Sequence, residues 1–104
     1  MESDEIREEL LTILREHGDR WWMSYSLWFR LSDVARRTLE ADHGIAIGKG
    51  GGHPYGPISH ISKLLYHTDG VEREHLETRG VSAHNETEEI EASGERTAIF
   101  RWVG

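Results

Sequence analysis

Residues 43–68 contain Lys49, Lys63 and four histidines but no aspartate or glutamate. All 19 acids of the chain lie outside that stretch, ten before it and nine after it. A window that leans cationic inside a chain of net charge −7 reads as a surface kept clear for an anionic partner. Its polar side chains are mostly hydrogen-bond donors: Lys49, Ser59, His60, Ser62, Lys63, Tyr66 and His67, with Arg73 and Arg79 shortly beyond. Ammonium, guanidinium, imidazole and hydroxyl groups in that density hold an anion by charge and hydrogen bonds.

Other chemistries fit the residues less well. Lys49 stands among glycines, as in a phosphate-binding loop, but that loop needs Ser or Thr after the lysine to hold magnesium. Position 50 is glycine. The dinucleotide spacing G-x-G-x-x-G also fails, because Gly48-Lys49-Gly50 meets His53 and Gly50-Gly51-Gly52 meets Tyr55. His53, His60 and His67 recur every seven residues. On a helix that spacing rises about 10 Å, whereas one metal ion holds its nitrogens at about 2 Å. His67 and His75, opposite each other across Asp69-Gly70, are the remaining pair, and solvent-facing histidines are expected rather than a metal site. Cysteine is absent, and no serine sits in a nucleophile elbow. Glu72, Glu74 and Glu77 read as a solvated strand edge rather than an acid–base pair. No enzyme activity and no cofactor are expected.

A chain of 104 residues, 37% of them hydrophobic, makes one domain with a single modest core. Without cysteine it has no disulfides. No apolar run approaches the ~20 residues of a membrane span. The start, MESDEIREELL, is acidic and amphipathic, unlike a signal peptide. A soluble, cytoplasmic protein is expected, with no membrane partner. The acidic balance (pI ≈ 5.4) argues against a general nucleic-acid binder. Only the surface that faces a polyanion has to be positive, however.

The elements follow from periodicity. Ile6, Leu10, Leu11, Ile13 and Leu14 predict a helix over 4–17, with Ser3 or Asp4 as N-cap and Gly18 as its stop. Asp19 to Met23 contains room for a short strand, with Ser24 capping the next helix. That helix is predicted over 24–42, with Met23, Leu27, Trp28, Leu31, Val34, Ala35 and Leu39 on one face and an Arg36–Glu40 pair on the other. Trp22 and Phe29 fall at the edge of its polar side, either as core packing or as an exposed patch for a partner or second subunit. Two prolines and six glycines between Gly44 and Pro57 make 43–56 a glycine-rich loop. Pro57 opens a third helix over 57–68. It buries Ile58, Ile61, Leu64 and Leu65 and leaves Ser59, His60, Ser62, Lys63, Tyr66 and His67 outside. Asp69-Gly70 is a turn, 71–81 is extended, 82–95 is a polar acidic tip, and 94–103 is the clearest strand.

Helix, short strand, helix, helix and then a two-stranded hairpin is the order of a winged helix-turn-helix. The stretch from Ile58 to Arg73 resembles that family's recognition helix running into its first wing strand. Leu64-Leu65 followed by Asp69-Gly70-Val71 carries the resemblance. It implies an α+β fold in which three helices pack on a small antiparallel hairpin, the wing. It also implies a small transcriptional regulator that reads duplex DNA with helix 57–68. Ser59, His60, Ser62, Lys63 and His67 would reach base edges or phosphates. Tyr66 would stack or donate to a phosphate, and Lys49, Arg73 and Arg79 would flank. A homodimer through the Trp-rich region or the first helix is compatible with this reading. Two features depart from the family: the long link 43–56 and a wing tip rich in glutamate (Glu86, Glu88, Glu89, Glu91 and Glu95). The alternative is a winged-helix protein-interaction module that docks a protein through its acidic wing and the patch around Trp22 and Phe29.

Overall fold

The apolar stripe of the first helix, Ile6, Leu10, Leu11 and Leu14, is buried along one side of α1 (Ser3–Glu16). The helix begins one residue earlier than expected, at Ser3. Glu2 stands at the N-cap, and its N–H donates to the Glu5 carboxylate at 2.9 Å. Glu2 also accepts from the Glu5 and Ile6 N–H groups through its carbonyl. Acidic side chains at this end meet the positive pole of the helix. The chain here is a computed structural model that describes residues 1–43, 55–66, 68–84, 89–91 and 96–104.

After α1 comes the expected short strand, β1 (Trp22–Met23). The helix predicted over 24–42 is instead two helices, α2 (Ser24–Arg30) and α3 (Asp33–His43). Leu31 closes α2 by donating its N–H to the Leu27 and Trp28 carbonyls and then turns extended. Ser32 caps α3: its Oγ accepts from the Ala35 N–H at 3.1 Å, and its carbonyl accepts from Arg36 N–H. Glu9 of α1 holds the corner from outside. Its carboxylate accepts from Ser32 N–H at 2.9 Å and from Ser32 Oγ at 2.8 Å. Beyond the break Ala35 and Leu39 are buried as expected, and Val34 alone departs from the predicted face. Val34, placed on the apolar face of an unbroken helix, is 57% exposed. Arg36 pairs with Asp33.

Residues 44–54, most of the glycine-rich loop, lie outside the described residues. The next helix, α4 (Tyr55–Tyr66), begins and ends two residues earlier than expected, so that Pro57 still falls in its first turn. The fold therefore has four helices among the described residues rather than three.

The segment predicted as extended over 71–81 is β2 (Val71–Glu77), followed by a turn in which Val81 N–H donates to the Thr78 carbonyl. Gly80 takes φ +71° there. The acidic tip is not featureless. β3 (Ser82–His84) and β4 (Glu89–Glu91) pair antiparallel, while 85–88 and 92–95 lie outside the described residues. Ala83 of β3 is buried in the core, and β3 lies against α2. The last strand, β5 (Arg96–Trp102), matches the expected one.

The main sheet has three antiparallel strands in the order β1-β5-β2. Trp22 pairs with Phe100, and β2 pairs with β5 from Val71↔Trp102 to Glu77↔Arg96. The β3–β4 ladder, from Ser82↔Glu91 to His84↔Glu89, continues that register without a slip. The two ladders thus belong to one long hairpin, and it folds back against the body at Ala83.

The architecture is α+β: helices on one side of a small antiparallel sheet, with one core between them. Leu10, Leu14, Leu27, Leu39, Ile61, Leu65 and Phe100 are its most enclosed side chains. Trp22 is 2% exposed and Phe29 packs against the core, so the aromatic patch expected as one option resolves to packing. Trp22 is covered by arginines, with Arg20 at 4.0 Å and Arg30 at 5.7 Å from its ring. Among the described residues no helix is long and apolar enough to cross a membrane.

Candidate functional site

α4 is held by what its inner face buries. Pro57, Ile58, Ile61, Leu64 and Leu65 point into the core, as the three- and four-residue spacing requires. Residues opposite that stripe must face out. At 100° per residue, Ser59, Lys63 and Tyr66 form the outermost strip. Lys63 is exposed, Tyr66 is 50% exposed and Ser59 is half-buried. No carboxylate stands on this helix.

The predicted residues do not all join this strip. Ser62, expected outside, turns inward. Its Oγ lies 2.6 Å from the Oγ of Ser24, which is 1% exposed at the start of α2. A buried hydroxyl needs such a partner, so Ser62 serves the α2–α4 contact. His60 is half-buried on the flank of the helix. Arg79 is exposed in the turn after β2. Lys49 and His67 lie outside the described residues.

Arg73 is brought to the strip by tertiary structure. It sits on β2, opposite Phe100 of β5 and therefore on the sheet face that borders the core. From there its guanidinium lies over the Tyr66 ring, 3.4 Å from the centroid. Its Nη1 is buried and makes no hydrogen bond. Ser59, Lys63, Tyr66 and Arg73 thus make one continuous run from α4 on to the sheet.

Two supports of this run have no signature at the positions expected to act. Arg7 of α1 donates from Nε to the Leu64 carbonyl at 3.2 Å while its Nη1 pairs with Asp4 at 2.9 Å. Thr68 Oγ1 donates to the same carbonyl at 2.7 Å. A cation and a hydroxyl at the C-terminal end of α4 satisfy groups that the helix leaves open. The Thr68 bond spans four residues and is legible locally. The Arg7 bond spans 57 and is not.

Below the strip the sheet keeps its acids occupied or turned away. Glu72 accepts from Arg101 Nη2 at 3.0 and 3.2 Å, on the face opposite Arg73. Arg101 also lies 4.6 Å from the Trp21 ring. Among the described residues no group of three or more His, Asp or Glu is placed to hold a metal. The geometry offers hydroxyls and an ammonium on a convex helix and a stacked guanidinium on the adjoining strand, an arrangement suited to gripping an extended anion.

Comparison of the chain with protein-family models, with curated proteins and with solved structures finds no match. Among the described residues the fold is an α+β arrangement of four helices with a three-stranded antiparallel sheet.

Proposed function

We propose that this chain is a winged-helix domain that binds duplex DNA as a small transcriptional regulator, with α4 in the major groove. Sheet order β1-β5-β2, a short strand after the first helix, and a helix leading directly into a long hairpin all support the fold reading. The observation that carries the function is the outward strip of α4. It bears Ser59, Lys63 and Tyr66 without a carboxylate in a chain of net charge −7. A helix of this kind fits the groove, and its polar side chains meet base edges and phosphates. The protein-docking alternative loses its aromatic patch, because Trp22 is enclosed.

Binding to mixed-sequence duplex fragments, followed by fluorescence anisotropy against salt concentration, tests the reading. A phosphate-binding surface loses affinity linearly in log–log form as salt rises, with a slope of about −0.9 for each phosphate neutralised. Lys63→Glu is expected to abolish binding and leave the circular dichroism spectrum unchanged. Absence of binding at low salt, or full binding by Lys63→Glu, overturns the assignment.

A further inference from the structure

We infer that Arg73 and Tyr66 form a phosphate clamp beside α4, in which Arg73 takes the anion and Tyr66 is a positioning residue rather than a DNA contact in its own right. The inference rests on the duplex-binding reading and assigns its phosphate contact to one strand position.

Arg73 lies in a strand with three glutamates, yet none of them neutralises it. Glu72 is on the opposite face and is tied to Arg101. Glu74 alternates on to that same opposite face. Glu77 shares the Arg73 face but stands four residues along, about 13 Å at the rise of an extended strand. The nearest residues on the Arg73 face are Val71, His75 and, across the ladder, Phe100. Among the described residues Arg73 makes no ion pair, and Nη1 is enclosed without a hydrogen bond. Leaving a guanidinium nitrogen unpaired is costly, and the contact that offsets it is the Tyr66 face at 3.4 Å.

That contact has a geometric consequence. Stacking uses the flat face of the guanidinium and leaves its edge N–H groups in the plane available. With Nη1 turned inward, Nε and Nη2 are the remaining edge. They form the fork that a phosphodiester accepts through two oxygens. Tyr66 fixes the plane of that fork at the end of the strip that begins with Ser59 and Lys63. Without the ring, the long arginine side chain loses its platform and samples other rotamers.

Salt-dependent duplex binding of wild type, Arg73→Ala, Tyr66→Phe and Tyr66→Ala tests the clamp. Arg73→Ala is expected to reduce the magnitude of the log–log salt slope by about one phosphate equivalent. Tyr66→Phe keeps the stacking face and is expected to keep the wild-type slope. Tyr66→Ala is expected to lose the same increment as Arg73→Ala, and the double variant no more than either. A wild-type slope in Arg73→Ala overturns the phosphate contact. A wild-type slope in Tyr66→Ala, or a lowered slope in Tyr66→Phe, overturns the positioning role. Failure of the clamp alone leaves Lys63→Glu still defective. Failure of wild type to bind any duplex overturns the clamp together with the DNA reading.

Discussion

A single serine decides where one helix becomes two. Ser32 offers its Oγ to the Ala35 N–H, and Glu9, 23 positions earlier, accepts both polar hydrogens that Ser32 has to donate. Ser-Asp before an apolar residue is a helix-start signal. The apolar pattern of 24–42, however, runs through it in nearly unbroken helical period. The competing signal wins because a carboxylate from another helix completes the cap. Ser32→Ala is expected to lower stability by about 1 kcal/mol, the usual worth of an N-cap. Glu9→Ala should cost less in the Ser32→Ala background than in wild type, because only its bond to the backbone N–H of residue 32 is then left to lose. Urea unfolding of the two single variants and the double variant measures this. Additive losses would show that Glu9 acts elsewhere.

At the scale of elements the hairpin depends on its first turn. Gly70 adopts φ +83°, and its carbonyl accepts from Val103 N–H at 2.8 Å. A Cβ there would stand 2.9 Å from the Trp102 ring and 2.9 Å from the Gly104 backbone. Trp102 is itself held under Arg15, whose guanidinium lies 4.8 Å from its ring. Gly70→Ala combines left-handed strain with overpacking and is expected to cost about 1–3 kcal/mol. Thermal unfolding followed by tryptophan fluorescence checks it, and an unchanged midpoint would show that the end of β5 yields without cost. Asp69-Gly70 was legible as a turn from residue type alone. That the turn lies against Trp102, 32 positions later, was not.

For the molecule as a whole, charge acts in two opposed ways. The net charge of −7 repels itself in the folded state, and the ion pairs among the described residues lie largely at the surface. Raising salt from about 10 to 150 mM shortens the screening length from about 30 to 8 Å. It is expected to raise the melting temperature while weakening duplex binding. Calorimetry and anisotropy on the same samples would show the opposite trends. A melting temperature that falls with salt would mean that surface pairs outweigh the self-repulsion.

What the sequence determined by itself is which faces are apolar and the order of most elements, although it ran α2 and α3 together and assigned no strand to β3 or β4. The stripe Ile58, Ile61, Leu64 and Leu65 is buried as its spacing demands, and Phe100 and the expected strand lie where alternation places them. Periodicity reports which face is apolar, and burial of that face is the dominant favourable term. Tertiary structure decided what depends on groups distant in the chain. Those are the cap at Ser32, the inward turn of Ser62 toward Ser24, the return of β3 to the core and the seating of Arg73 on Tyr66. A polar side chain's orientation follows the partner that satisfies it, and that partner is chosen by packing. Spacing therefore identified Ser59, Lys63 and Tyr66 but misplaced Ser62, and the packed sheet seats Arg73, expected only to flank, on Tyr66.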